Sequence, residues 1–147
     1  MTLEDNVAVV RRHHDLLAHF DEAAAEAIWA DDIVFREPQQ VIQGREAGKA
    51  RYRAFRDAFP DIAATLHEVV AQDDKVAVRY TLEGTHGGPF AGVPATGKRV
   101  TLSGIAIMRL ADGRIAEGWG CADFLGFLRQ LGALPAPAPP DGRGDPS

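Results

Sequence analysis

Between Thr101 and Gly132 the chain reads TLSGIAIMRLADGRIAEGWGCADFLGFLRQLG, and few folds accommodate that run. Thr101–Leu110 and Arg114–Ala122 are rich in strand-forming residues and meet at Asp112-Gly113, a strong hairpin signal. Asp123 follows, able to accept from the unpaired amides of a first helical turn. Phe124, Phe127, Leu128 and Leu131 recur at helical spacing, and Gly132 can end the helix in a left-handed conformation. A hairpin running straight into an apolar helix predicts a half-buried sheet with a closing helix at its end.

Upstream, Val7, Val10, His14 and Leu17 share one helical face, predicting an amphipathic helix over about residues 3–19. Asp21 can cap a second helix, EAAAEAIWA, to about Ala30. DDIVFRE reads as a short strand stopped at Pro38. Gly48, Tyr52, Phe55 and Phe59 mark a third helix from about Arg45 to Pro60. The period then changes to two, over Ile62–Gln72, Lys75–Thr85 and Arg99–Leu110. Helices first and a curved antiparallel sheet after predict an α+β fold with helices covering one sheet face.

The concave face should carry Val76, Val78, Tyr80 and Leu82, continued by Gly84 and His86, with Val100, Leu102, Gly104, Ala106, Met108 and Leu110 on the next strand. A two-residue turn would mix the hairpin's faces. A three-residue turn, Ala111-Asp112-Gly113, pairs Leu110 with Arg114 and brings Ala116, Gly118, Gly120 and Ala122 onto the concave side. The second register is preferred, because a wall of alanine and glycine leaves a cavity. The other face keeps Ile105, Ile107, Ile115, Trp119 and Cys121, which predicts a homodimer or larger homo-oligomer through it.

With GTHGGPFAGVPATGKR before it, DGRIAEGWGCADFLGFLRQLG resembles the SnoaL-like polyketide cyclases, the likeness running from about Val10 to Leu134. The resemblance implies an NTF2-like cone-shaped α+β barrel and ring closure without a cofactor. It also implies a histidine on the third long strand working with an enolising aspartate on the last. Anchored on Asp112-Gly113 and Asp123, those positions are Ala106 and Gly120 here, and neither moves a proton.

The acid/base is therefore sought elsewhere, with His86, Asp123 and Glu37 as catalytic candidates. Asp123 is either a helix cap or a base; His86 either bonds its loop or stands at the cavity mouth. Tyr80 is a hydroxyl donor or plain core, and His14 faces inward or water. Tyr80, His14, Phe90, Leu102, Ala106, Met108 and Gly120 are the candidate substrate-binding residues. The glycine-rich stretch Thr85–Lys98 is expected to be a mobile lid, with Phe90 folding over the mouth.

Composition narrows the partners. The net charge of -5 disfavours nucleic acid and anionic membranes. One cysteine, Cys121, forms no internal disulfide and fits a reducing compartment. The start, MTLEDN, lacks a basic region and an apolar run, so a cytoplasmic protein without leader or membrane span is expected. Histidines at 13, 14, 19, 67 and 86 show no metal-ligand spacing, so neither metal nor cofactor is expected. Residues 1–134 are read as one domain and 135–147, rich in proline and glycine, as a disordered tail. The expected function is cofactor-independent proton transfer on an apolar, polyketide-like small molecule: cyclisation, isomerisation or dehydration. A non-catalytic binder of such a molecule is the alternative.

Overall fold

The computed structural model describes residues 1–135; the expected tail, from 136 on, lies outside the described residues. The elements are α1 (Leu3–Asp15), α2 (Glu22–Ile28), β1 (Trp29–Glu37), β2 (Gln40–Gln43), α3 (Arg45–Ala58), β3 (Ala63–Gln72), β4 (Lys75–Thr85), β5 (Arg99–Ala111), β6 (Arg114–Ala122) and α4 (Phe124–Leu131). The strands form one open sheet in the order β2-β1-β6-β5-β4-β3. The expected antiparallel sheet is corrected at one point: β1 runs parallel to β6, because α3 and the β3–β5 strands intervene between them in the chain, so the sheet is mixed while the remaining neighbours are antiparallel. This is the α+β cone, with helices in its concavity.

Local chemistry explains the elements that carry the site. Thr2 and Asp5 form a capping box at the start of α1. Asn6, Val9, Val10, His13 and His14 then fall on the buried stripe of that helix. Pro38 sits in the turn between β1 and β2, a hairpin missed in the sequence because its second strand is only four residues long. Asp123 caps α4 by accepting from the Gly126 amide at 2.9 Å, and Gly132 closes the helix with φ 84°.

The β5–β6 turn corrects the expected register. Ala111 pairs with Arg114, so the turn has two residues, and Asp112 (φ 53°) and Gly113 (φ 79°) are both left-handed. The extra residue sits further along: Arg109 pairs with Glu117 but Leu110 with Ile115, which leaves Ala116 in a bulge. Beyond the bulge Met108 faces Gly118, Ala106 faces Gly120 and Gly104 faces Ala122. The facial match expected from the longer turn is thus reached by a different device. The bulge also turns Ile115 inward, where it is 0% exposed; it does not belong to the outer apolar face assigned to it.

Two apolar clusters fill the concavity. One gathers Val9, Val10, Trp29, Ile33, Phe35, Val76, Val78 and Ile115, the other Phe55, Phe59, Leu82, Leu102, Phe127 and Leu131.

Candidate active site

Where the two clusters meet, the packing leaves a cavity of about 90 Å³. Its walls are His13, His14 and Leu17 near the end of α1; Phe35 and Glu37 of β1; Arg51, Tyr52 and Phe55 of α3; Tyr80 and Leu82 of β4; Leu102, Ala106 and Met108 of β5; Gly120 of β6; and Phe124 of α4. Glycines shape it. A Cβ at Gly104 would lie 2.5 Å from the Tyr80 hydroxyl, so only glycine lets that phenol lie across β5. A Cβ at Gly120 would meet nothing within 4 Å, because the space there is the cavity itself.

The polar groups on these walls are unusually well defined. His14 Nδ1 lies 3.1 Å from the Val10 carbonyl oxygen. A carbonyl only accepts, so Nδ1 carries the proton. Burial holds His14 below its ordinary 6.5, with the Val10 carbonyl and Asp15 pulling weakly the other way. The ring is therefore neutral near pH 7, and its Nε2 is a lone pair with no hydrogen-bond partner among the described residues. Tyr80 packs beside it, ring centroids 5.4 Å apart. Burial, reinforced by Glu37, raises the Tyr80 phenol, so it keeps its proton to donate. Glu37 is paired with Arg51 at 2.6 Å and also accepts from Gln39 and Gln40 at 3.3 Å each.

Of the residues named from sequence, His14, Glu37, Tyr80, Leu102, Ala106, Met108 and Gly120 line the cavity together. Ala106 and Gly120 face each other across β5 and β6. His86 and Asp123 do not join them. Asp123 is exposed and spends its carboxylate on capping α4. His86 is 0% exposed, against Phe59 and the loop, where Nδ1 accepts from the Thr96 amide at 3.3 Å and lies 2.9 Å from its hydroxyl. Both ends of the apolar columns point away from the cavity, into a loop and a helix cap.

Phe90 is also displaced from its expected place. It packs edge-on against Phe55, Phe59 and Phe127 within the second cluster, not over the mouth. The glycine loop is tied down beneath it: the Gly87 and Gly88 amides both donate to the Ala58 carbonyl, at 2.8 and 3.1 Å. His13, Arg51, Tyr52 and Phe124 are wall residues that the sequence reading did not single out. The signal was present for His13, one position from His14 on a helix whose stripe is wide enough for both.

A concave sheet closed by helices over a small, mainly apolar cavity lined by two histidines and two tyrosines is the architecture of the NTF2-like cone. The chain belongs to the SnoaL-like polyketide cyclase family, whose sequence profile matches residues 7–131. It is 34% identical over 116 residues to the aklanonic acid methyl ester cyclase DauD of Streptomyces sp. (strain C5), covering 72% of this chain and 71% of that one. It is 35% identical over 100 residues to the cyclase of the same name, DnrD, from Streptomyces peucetius, covering 67% and 68%. Among solved structures it resembles AclR of Streptomyces galilaeus, a proposed hydroxylase, with TM-score 0.82 and 27% identity over 93% of this chain and 87% of that one.

Proposed function

We propose that the cavity is the active site of a cytoplasmic, cofactor-independent enzyme that moves a proton on an apolar, polyketide-like molecule. His14 acts as the base. Its Nε2 lone pair takes a carbon-bound proton next to a substrate carbonyl, and Tyr80 donates a hydrogen bond to the enolate oxygen that forms. In a cyclisation the enolate carbon then attacks a second carbonyl of the same molecule. The new alkoxide takes up a proton, so atoms balance without any co-reactant. Isomerisation and dehydration begin with the same abstraction.

One observation carries this reading: the Val10 carbonyl fixes the His14 proton on Nδ1, leaving Nε2 as a lone pair at the cavity wall. Glu37 is the weaker candidate, because Arg51 and two glutamines already occupy its oxygens. A cavity of about 90 Å³ is small beside the roughly 300–1,000 Å³ of sites enclosing drug-sized ligands. A polycyclic substrate therefore requires the walls to part on entry.

Aklanonic acid methyl ester, the molecule in the relatives' names, is the first substrate to test. Wild-type protein is expected to convert it to an isomer of equal mass, and His14→Gln to slow that conversion by roughly 10²–10⁴. Full activity in the variant would remove His14 from the role. The pairing of Ala106 with Gly120, where the resemblance implies an acid/base pair, favours a second reading, a binder without turnover. Saturable binding of the ester with no new product is the result that would select it.

A further inference from the structure

Next to His14, the neighbouring histidine makes a different set of contacts. The Trp29 indole Nε1 donates to His13 Nδ1 at 2.9 Å, and His13 Nε2 stands 3.1 Å from the Tyr52 hydroxyl oxygen. Trp29 and His13 are buried, and only His13 and Tyr52 reach the cavity. An indole N–H can only donate. His13 Nδ1 must therefore be a lone pair, and the ring proton must sit on Nε2. That proton faces Tyr52 and leaves the phenol oxygen as acceptor. The tyrosine's own proton then has one direction left, away from His13.

We infer that Trp29 and His13 act as a tautomer clamp that turns Tyr52 into an obligate donor to the ligand, so that the cavity selects molecules presenting a carbonyl or enolate oxygen at that point. The clamp has a second consequence. A tyrosine beside a histidine usually invites the reading of an acid/base pair, in which the imidazole accepts the phenol's proton. Here the only basic nitrogen is already occupied by Trp29, so His13 has no lone pair to offer. Tyr52 is a hydrogen-bond donor and His13 a positioning residue. Donating to the phenol oxygen also strengthens the phenol's outward hydrogen bond, since linked hydrogen bonds polarise one another. Burial agrees with this assignment: it holds His13 well below its ordinary 6.5, and it raises Tyr52.

The inference rests on the cavity being a ligand site but not on His14 being a base, and its tests need no turnover. The first is the ring-nitrogen NMR shifts of His13 in the ligand-free protein. They are expected to show the neutral ring with its proton on Nε2, unchanged between about pH 6 and pH 8. A proton on Nδ1, or a charged ring, would overturn the clamp.

The second uses para-naphthoquinone, a flat neutral dicarbonyl, and follows its carbonyl stretch by infrared difference spectroscopy. Binding is expected to lower the stretching frequency of one carbonyl. Tyr52→Phe should abolish that shift and weaken binding roughly two- to tenfold, the scale of one hydrogen bond. Trp29→Phe, a change outside the cavity wall, should reduce the shift and release the His13 tautomer together. An unshifted carbonyl in wild type, a shift that survives Tyr52→Phe, or no saturable quinone binding would each sink the proposal. If Trp29→Phe does not fold, the wild-type tautomer and the Tyr52→Phe spectrum still decide it.

Discussion

Two adjacent histidines, His13 and His14, sit on the buried stripe of α1 with burial pressing both toward the neutral form. That has a thermodynamic consequence independent of catalysis. In the unfolded chain each titrates near its ordinary 6.5; in the native state each resists the proton. Below that pH the unfolded state binds more protons than the native state, so stability falls as pH falls. It is complete above about pH 6.5 and drains toward the depressed native values. The slope is at most about 1.4 kcal/mol per pH unit for each histidine. Carboxylates lowered by their cationic partners, such as Glu22 and Glu117, act in the same direction but in a window below their ordinary 4.5. Urea unfolding is expected to show stability falling as pH drops below about 6.5, with a slope that cannot exceed two protons for the pair. His14→Phe should reduce the slope and leave the share of His13, and a flat profile would mean that these rings are charged or solvated in the native state. At this scale the sequence was informative about which side chains share a face: His14, Tyr80 and Gly120, named as candidates, all line the cavity. It was uninformative about His13 and Tyr52, because their meaning lies in a contact across 39 positions.

At the level of elements, the α+β order and the closing helix were legible, since each rests on local period and punctuation. The bulge at Ala116 was not. Type I′ geometry at Asp112-Gly113 fixes a short turn, and the apolar match between β5 and β6 fixes which faces meet. Both demands can be satisfied only if one residue is extruded, and no single residue type announces that compromise. The packing of the glycine loop was illegible for a similar reason. Its glycines read as freedom, yet Gly88 is there for close approach. A Cβ at that position would lie 2.4 Å from the Asp57 carbonyl oxygen, on rigid backbone at the end of α3. Gly88→Ala is therefore expected to destabilise the protein by about 1–3 kcal/mol, the usual range for overpacking. Gly120→Ala adds the same methyl to open cavity and should cost far less. Urea midpoints of the two variants check the contrast, and equal losses would show that the loop yields where it now looks pinned.

The whole molecule presents one surface that a monomer does not need. On the sheet face opposite the helices, Val70, Ala77, Ile107 and Trp119 pair in register across β3, β4, β5 and β6. Ile105 and Cys121 form a second cross-strand pair beside them. Trp119 is 38% exposed, Ile107 41% and Ile105 56%, so the row lies open to water. Charges of both signs flank it: Arg36 and Arg109 on Glu117 at one side, Arg79 with Glu68 at the other. A patch that is apolar at its centre and mixed in charge at its rim can complement a copy of itself about a two-fold axis. We therefore propose a homodimer formed back to back through this face, which leaves the cavity of each protomer open on the far side. Sedimentation at micromolar concentration is expected to show a dimer. Trp119→Ala should weaken it by roughly thirtyfold, the scale of a buried aromatic anchor. Trp119→Glu, which buries a charge in the centre of the proposed interface, should yield monomers with unchanged helix and strand content. Wild-type protein that sediments as a monomer would leave this row without a partner and refute the assembly.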